Sequence, residues 1–105
     1  MKKPVKSLAF ICHPARESIP PLLKSLVEWC EENSIQVRMT TRMARIINRP
    51  ELGMATHEMA AHIDMVIVLG GDGSILEATR SFAADGLPIA GINMGHLGFL
   101  TLEEP

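Results

Sequence analysis

Two rhythms of apolar residues divide the chain. Residues 65–69, Met-Val-Ile-Val-Leu, are apolar at every position, the pattern of a central parallel strand covered on both faces. Residues 7–12, Ser-Leu-Ala-Phe-Ile-Cys, form a shorter run ended by His13-Pro14 and read as another buried strand. Residues 35–39 alternate apolar and polar, which predicts a half-exposed strand nearer the sheet edge, and residues 87–92 predict a fourth strand. Between the first two strands Leu22, Leu23, Leu26, Val27 and Cys30 recur at helical spacing. Ser18 is the expected cap, prolines fill the first turn, and Asn33-Ser34 closes the helix. Residues 40–54 read as a short helix plus loop, and residues 55–63 as a short helix leading to Asp64. Residues 74–84 predict a helix with Ile75, Leu76, Thr79, Phe82 and Ala83 on or beside one stripe, ended by Asp85-Gly86. The order βαβ(α)βαβ predicts an α/β fold, a parallel-sheet sandwich with right-handed βαβ crossovers.

Composition narrows the function. A chain of 105 residues is one domain at most, and 47% hydrophobic with 21% charged residues is ordinary for a globular protein. The formal net charge is −2 with no basic block, so a nucleic-acid footprint is not expected. Trp29 and three phenylalanines are too few for single-strand stacking platforms. The basic start is followed only by a short apolar run broken at His13-Pro14 and Arg16, and no stretch approaches a membrane span. These features predict a cytoplasmic protein with no membrane partner. Cys12 and Cys30 form no C-x-x-C pair and are expected as buried free thiols.

The chemistry concentrates in two glycine-rich stretches. Gly70-Gly71-Asp72-Gly73 follows the strand at 65–69 directly, where ligands gather beyond the carboxyl ends of parallel strands. Glycines there admit close approach of a ligand, and the following helix aims free N–H groups at it, a ready phosphate site. Ser74 and Glu77 form an S-x-x-E capping box, which leaves Asp72 free for a substrate hydroxyl or a metal-bound water. The dinucleotide fingerprint G-x-G-x-x-G fails at Leu76, and no Gly-Lys-Ser/Thr of a Walker loop occurs. The second stretch, GINMGHLGFL at 91–100, follows the last strand. Gly91, Gly95 and Gly98 allow sharp turns and close approach, while His96 and Phe99 offer a polar group and a flat apolar face. Read alone, it serves equally as a βα loop in which Leu97, Phe99 and Leu100 pack.

Together, GGDG after an apolar strand and GINMGHLGFLT about twenty residues later resemble the N-terminal domain of NAD kinases. GGDG alone is shared with phosphofructokinases and lipid kinases, and Ser74 is close to the phosphofructokinase form; the second motif has the NAD kinase form. The resemblance implies a Rossmann-like, phosphofructokinase-like domain. It also implies phosphoryl transfer from ATP or polyphosphate to the 2′-hydroxyl of the adenosine ribose of NAD, giving NADP. By the same resemblance Asp72 contacts the ribose hydroxyls and acts as base, and Gly71 and Gly73 bring amides to phosphates. Leu97, Gly98 and Phe99 match the lining of the NAD adenosine pocket, with Asn93 and His96 as weaker assignments. Mg²⁺ is implied as an ion held mainly by donor phosphates, and a homo-oligomer for the full-length form. Family members are more than twice as long and carry a β-rich C-terminal domain, so residues 1–105 are expected to be the N-terminal domain of a longer protein, inactive alone. The crowding of Leu97, Phe99, Leu100 and Leu102 near residue 105 points the same way. A non-catalytic nucleotide-binding module and a sugar- or lipid-phosphorylating relative are the competing readings.

Other candidates carry less. His57 and His62 mimic H-E-x-x-H, but an i, i+5 spacing sets the two rings roughly 140° apart around a helix, unfit for one metal. His13 is expected in a solvated loop. Arg42, Arg45 and Arg49 are expected on a solvated helix face, with phosphate contact as the sharper option. The seven methionines read as core filler.

Overall fold

A computed structural model describes residues 5–12, 18–82, 85–93 and 99–101, with Asp72, Asn93 and 99–101 described by backbone alone. In chain order it has β1 (Ser7–Cys12), α1 (Ile19–Glu32), β2 (Gln36–Met39) and α2 (Thr41–Ile46), then a 3-10 turn at Pro50–Leu52. It continues with α3 (Thr56–His62), β3 (Met65–Gly70), α4 (Asp72–Phe82), β4 (Ile89–Asn93) and β5 (Phe99–Thr101). One five-stranded sheet runs β2-β1-β3-β4-β5. The first four strands are parallel, as the sequence predicts, with β3 central and β2 at the edge. The fifth strand adds to the four expected from the sequence: Phe99–Thr101 turns back and pairs antiparallel with β4. That pairing satisfies the backbone groups of β4 that a bare edge would leave exposed.

The alternation of each strand splits the core in two. Leu8 and Phe10 of β1, with Leu69 of β3, face a layer built from Ile19, Leu23, Val27 and Cys30 of α1 and Met43 and Ala44 of α2. Ala9, Val66 and Val68 face the other layer, with Met59 of α3 and Ile75, Ala78 and Phe82 of α4. This is why residues 65–69 are apolar throughout: odd and even positions enter different cores.

Local signals at the helix ends are partly realised. Ser18 stands at the head of α1, but its side chain makes no capping bond; Pro20 and Pro21 occupy the first turn, where a missing N–H is tolerated. The C-terminal end follows expectation, with Asn33 donating its backbone N–H to Trp29 and Cys30 carbonyls and Ser34 in the left-handed region at φ 60°. In α4 the buried stripe is Ile75, Ala78 and Phe82, whereas Leu76 is 59% exposed and leaves the stripe expected for it. One residue on from Ile75 is a rotation of about 100°, which turns Leu76 away from the sheet. Ala83 lies outside the described residues.

Polar contacts fix the amino edge of the sheet. Asp64 accepts through Oδ2 from the backbone N–H groups of Lys6 (2.8 Å) and Ser7 (3.2 Å). The buried Ser7 hydroxyl donates to the His62 carbonyl and accepts from the Asp64 amide, both at 3.1 Å. These bonds tie the start of β1 to the turn before β3 and so set their relative register. On the surface Arg49 donates to Glu31 and Glu51, each at 2.6 Å. Its hydrogen bonds hold both carboxyls below their ordinary range. Arg49 is thereby engaged by protein carboxylates, while Arg42 and Arg45 are exposed, as are His57 and His62.

Gly91 lies inside β4, within the predicted strand, and serves close approach rather than a turn: a Cβ built there would meet Ile75 Cδ1 at 2.8 Å and Cγ1 at 3.0 Å. Ile75 is buried in the first turns of α4, so the missing side chain at 91 lets the helix sit down on the sheet. Gly91→Ala is expected to lower stability by about 1–3 kcal/mol, as overpacking does. Urea unfolding checks it, with a midpoint shift at unchanged slope as the expected signature.

Candidate functional site

The path of the chain creates the site before any side chain is considered. After β1 the chain winds outward to β2, then returns to place β3 on the opposite side of β1. The connections diverge at the carboxyl ends of β1 and β3, and in open α/β sheets that crevice is where ligands bind. Gly71, Asp72 and Gly73 leave β3 at this point. On the adjoining side, the backbones of Gly70 and Asn93 are register partners, and Phe99 pairs with Ile92. The fold therefore brings the backbones of Gly71, Asp72, Gly73, Asn93 and Phe99 to one edge. His96, Leu97 and Gly98 lie outside the described residues, as do His13 and Gly95.

The helix begins two residues earlier than expected. The Ile75 amide donates to the Gly71 carbonyl at 3.1 Å, so Gly71 is the N-cap and Asp72, Gly73 and Ser74 are the first three helical residues. The S-x-x-E capping box is not formed: Ser74 is inside the first turn, and no donor bonds the Glu77 carboxylate among the described residues. Ile75, in this first turn, packs over Gly91 and holds the start of the helix against the sheet. The unpaired amides of the first turn then sit directly on the crevice, where the macrodipole favours an anion. Asp72 stands at the first helical position, where a carboxylate is also favoured by the helix itself.

Gly73 contrasts with Gly91. Nothing lies within 4 Å of a Cβ built on it, and its φ is not in the left-handed region. Neither packing nor backbone conformation within the described residues calls for glycine there. A glycine near a helix start with open space before it leaves room for a ligand to reach the backbone.

A cleft of about 390 Å³ opens on the other side of α4. One wall is the α4 face carrying Ser74, Glu77, Ala78 and Ser81; Ile11 and Cys12 of β1 lie at its base, and Thr40 and Thr56 stand opposite. Sequence reasoning missed Thr40, Thr56 and Ser81, which come from three elements with no common local pattern. Cys12 and Cys30 are free thiols; Cys30 is buried and Cys12 half-buried. Burial pushes the Cys12 thiol up to about 12, so it stays protonated at neutral pH. Among the described residues no three His, Cys, Asp or Glu side chains gather to hold a metal ion. None of their helices is long and apolar enough to cross a membrane.

Comparison with known proteins fits this geometry to a family. The family model of the ATP-NAD kinase N-terminal domain matches residues 8–105. The chain belongs to the ATP-NAD kinase family. It is 32% identical over 97 residues to an NAD kinase of Desulforamulus reducens, covering 92% of this chain and 34% of that protein. It is 43% identical over 79 residues to an NAD kinase of Moorella thermoacetica, covering 75% of this chain and 25% of that protein. The chain thus spans about a third or less of these curated relatives. The fold resembles that of yeast NADH kinase, solved in complex with NADH, with a TM-score of 0.77 at 20% identity over 95% of this chain and 32% of that one. Membership in this family supersedes the phosphofructokinase-like alternative that Ser74 had kept open.

Two outcomes follow from the geometry. Gly73→Ala is expected to leave stability unchanged or raise it by up to about 1 kcal/mol, because Ala is the better helix residue and its methyl meets nothing. Thermal unfolding measures this. For Cys12 the folded thiol holds its proton more tightly than the unfolded one, whose ordinary value is 9.0. Its contribution to stability is therefore complete below that value and is lost as pH rises toward about 12. Iodoacetamide at pH 8 is expected to label Cys12 slowly in the native protein and rapidly in urea, with mass spectrometry as the readout.

Proposed function

We propose that residues 1–105 supply the N-terminal part of an NAD kinase site, which transfers a phosphoryl group from ATP or polyphosphate to the 2′-hydroxyl of the adenosine ribose of NAD. The observation that carries this reading is the glycine turn with its helix start at the divergence of β1 and β3, in a chain of this family. Phosphoryl transfer asks a protein mainly to position two substrates and to stabilise charge on the moving group. The amides of Asp72, Gly73 and Ser74 suit the second task, since they are fixed donors that need no reorganisation. Asp72 orients the acceptor hydroxyl and takes its proton as the bond to phosphorus forms. The bond from phosphorus to the donor's bridging oxygen breaks, and that oxygen leaves with the electron pair.

Asn93 and Phe99 place the second glycine-rich stretch beside the turn, which supports its assignment, with His96, Leu97 and Gly98, to the NAD adenosine. Mg²⁺, held mainly by the donor phosphates, would supply charge neutralisation on the transferred group. The relatives named NAD kinase are about three times the length of this chain, and the rest of the NAD pocket is assigned to the part beyond the match.

The test is Asp72→Asn in the protein as its gene encodes it. NADP formation is expected to fall by at least about 100-fold, the scale of a lost general base, with the circular dichroism spectrum unchanged. A wild-type rate in that variant would remove Asp72 from the chemistry.

A further inference from the structure

We propose that Ile75 and Gly91 form a positioning pair for the transfer: their contact sets how high the first turn of α4 stands over the sheet, and with it the place of Asp72. This role rests on the transfer reading above. Gly91 is the seat. It lies inside the sheet, in register with Val68 of β3 on one side and Leu100 of β5 on the other. Backbone held along both edges is a fixed platform, and close-packed interiors pass a displacement on rather than absorb it. Ile75, 2% exposed, is the foot of the helix. Its Cδ1, Cγ1 and Cγ2 stand 2.8, 3.0 and 3.3 Å from the place a Cβ at 91 would take. An isoleucine in a helix keeps one main χ1 rotamer, so it does not swing aside; a group added beneath it lifts the backbone that carries it.

That backbone closes the turn of the site. The Ile75 amide donates to the Gly71 carbonyl at 3.1 Å, and Asp72, Gly73 and Ser74 lie between them. Asp72 is three residues from Ile75, about 4.5 Å along the helix axis, so the two move as one turn. The Thr79 hydroxyl donates to the Ile75 carbonyl at 2.8 Å and ties that turn to the next. On the sheet side Gly91 stands two residues before Asn93, whose register partner Gly70 leads into the turn. The contact thus lies one strand repeat behind the site. Both residues are buried, so they act through the turn and touch neither substrate. Such a position matters to the chemistry, because misplacing a reacting group by about 1 Å costs on the order of 100-fold in rate.

The test follows NADP formation by the protein as its gene encodes it, with NAD and ATP each varied. Gly91→Ala is expected to lower kcat by about tenfold or more while both KM values stay within about threefold of wild type. Ile75→Val removes Cδ1, the carbon nearest the added methyl, so Gly91→Ala/Ile75→Val moves one carbon from helix to strand at constant volume. The kcat of this double variant is expected within about twofold of wild type, the non-additivity of residues in contact. Ala44→Val overpacks the other core layer and controls for stability alone; below its unfolding transition its kcat is expected within about twofold of wild type. A wild-type kcat in Gly91→Ala would overturn the proposal, as would a loss that Ile75→Val leaves unrepaired, a loss confined to KM, or an equal loss in Ala44→Val. Should Gly91→Ala fail to fold, Ile75→Val alone decides: a kcat lowered about threefold or more supports the pair, and an unchanged one removes it. Absence of NADP formation by the wild-type protein would sink the transfer reading itself, whereas NADP formation with an unaltered Gly91→Ala leaves that reading standing without this one.

Discussion

The structure hangs from β3. Its backbone pairs with β1 on one side and β4 on the other, and its side chains enter both cores. A one-residue slip of this strand would send Val66 and Val68 into the layer shaped for Ile67 and Leu69. Such a slip would also move Gly70 away from Asn93 and withdraw the glycine turn from the crevice between β1 and β3. The hydrogen bonds from Asp64 and Ser7 at the amino edge guard against that movement. Pairing at one end of the sheet thus determines the position of the ligand edge at the other.

The glycines of the site serve different physical ends. Gly91 makes room inside the protein, because Ile75 occupies the space of its missing side chain and seats α4 against β4. Gly73 makes room outside it, since open space surrounds the place where a side chain would begin. The two are linked through the helix: the contact at Gly91 holds the start of α4 against the strand end, and that start presents Gly73 and the free amides to the crevice. One glycine serves packing; the other leaves open space at the helix start.

The carboxyl edge of the sheet divides about α4. The antiparallel return of β5 brings Phe99 to the same end as Asn93, while the cleft with Thr40 and Thr56 lies toward β1 and β2. Arg49 is engaged at the surface by Glu31 and Glu51.

Much of this was written into the sequence. An all-apolar run at 65–69, flanked by alternating and helical segments, specifies a central parallel strand because covering both faces leaves no place for a polar side chain. GGDG and GINMGHLGFLT pointed to the family on local pattern alone. Other features depended on contacts between distant residues. The helix starts at Asp72 rather than Ser74, and Ile75 in its first turns packs against Gly91, a partner sixteen positions away that no capping pattern registers. Phe99–Thr101 is a strand because β4 had an unpaired edge, and edges are a property of the assembled sheet. The cleft has no signature in the chain, since its walls come from β1, α3, α4 and the end of β2. Local sequence determined the elements and the chemistry of the glycine turn; packing between elements decided where the helix begins and what space stands beside it.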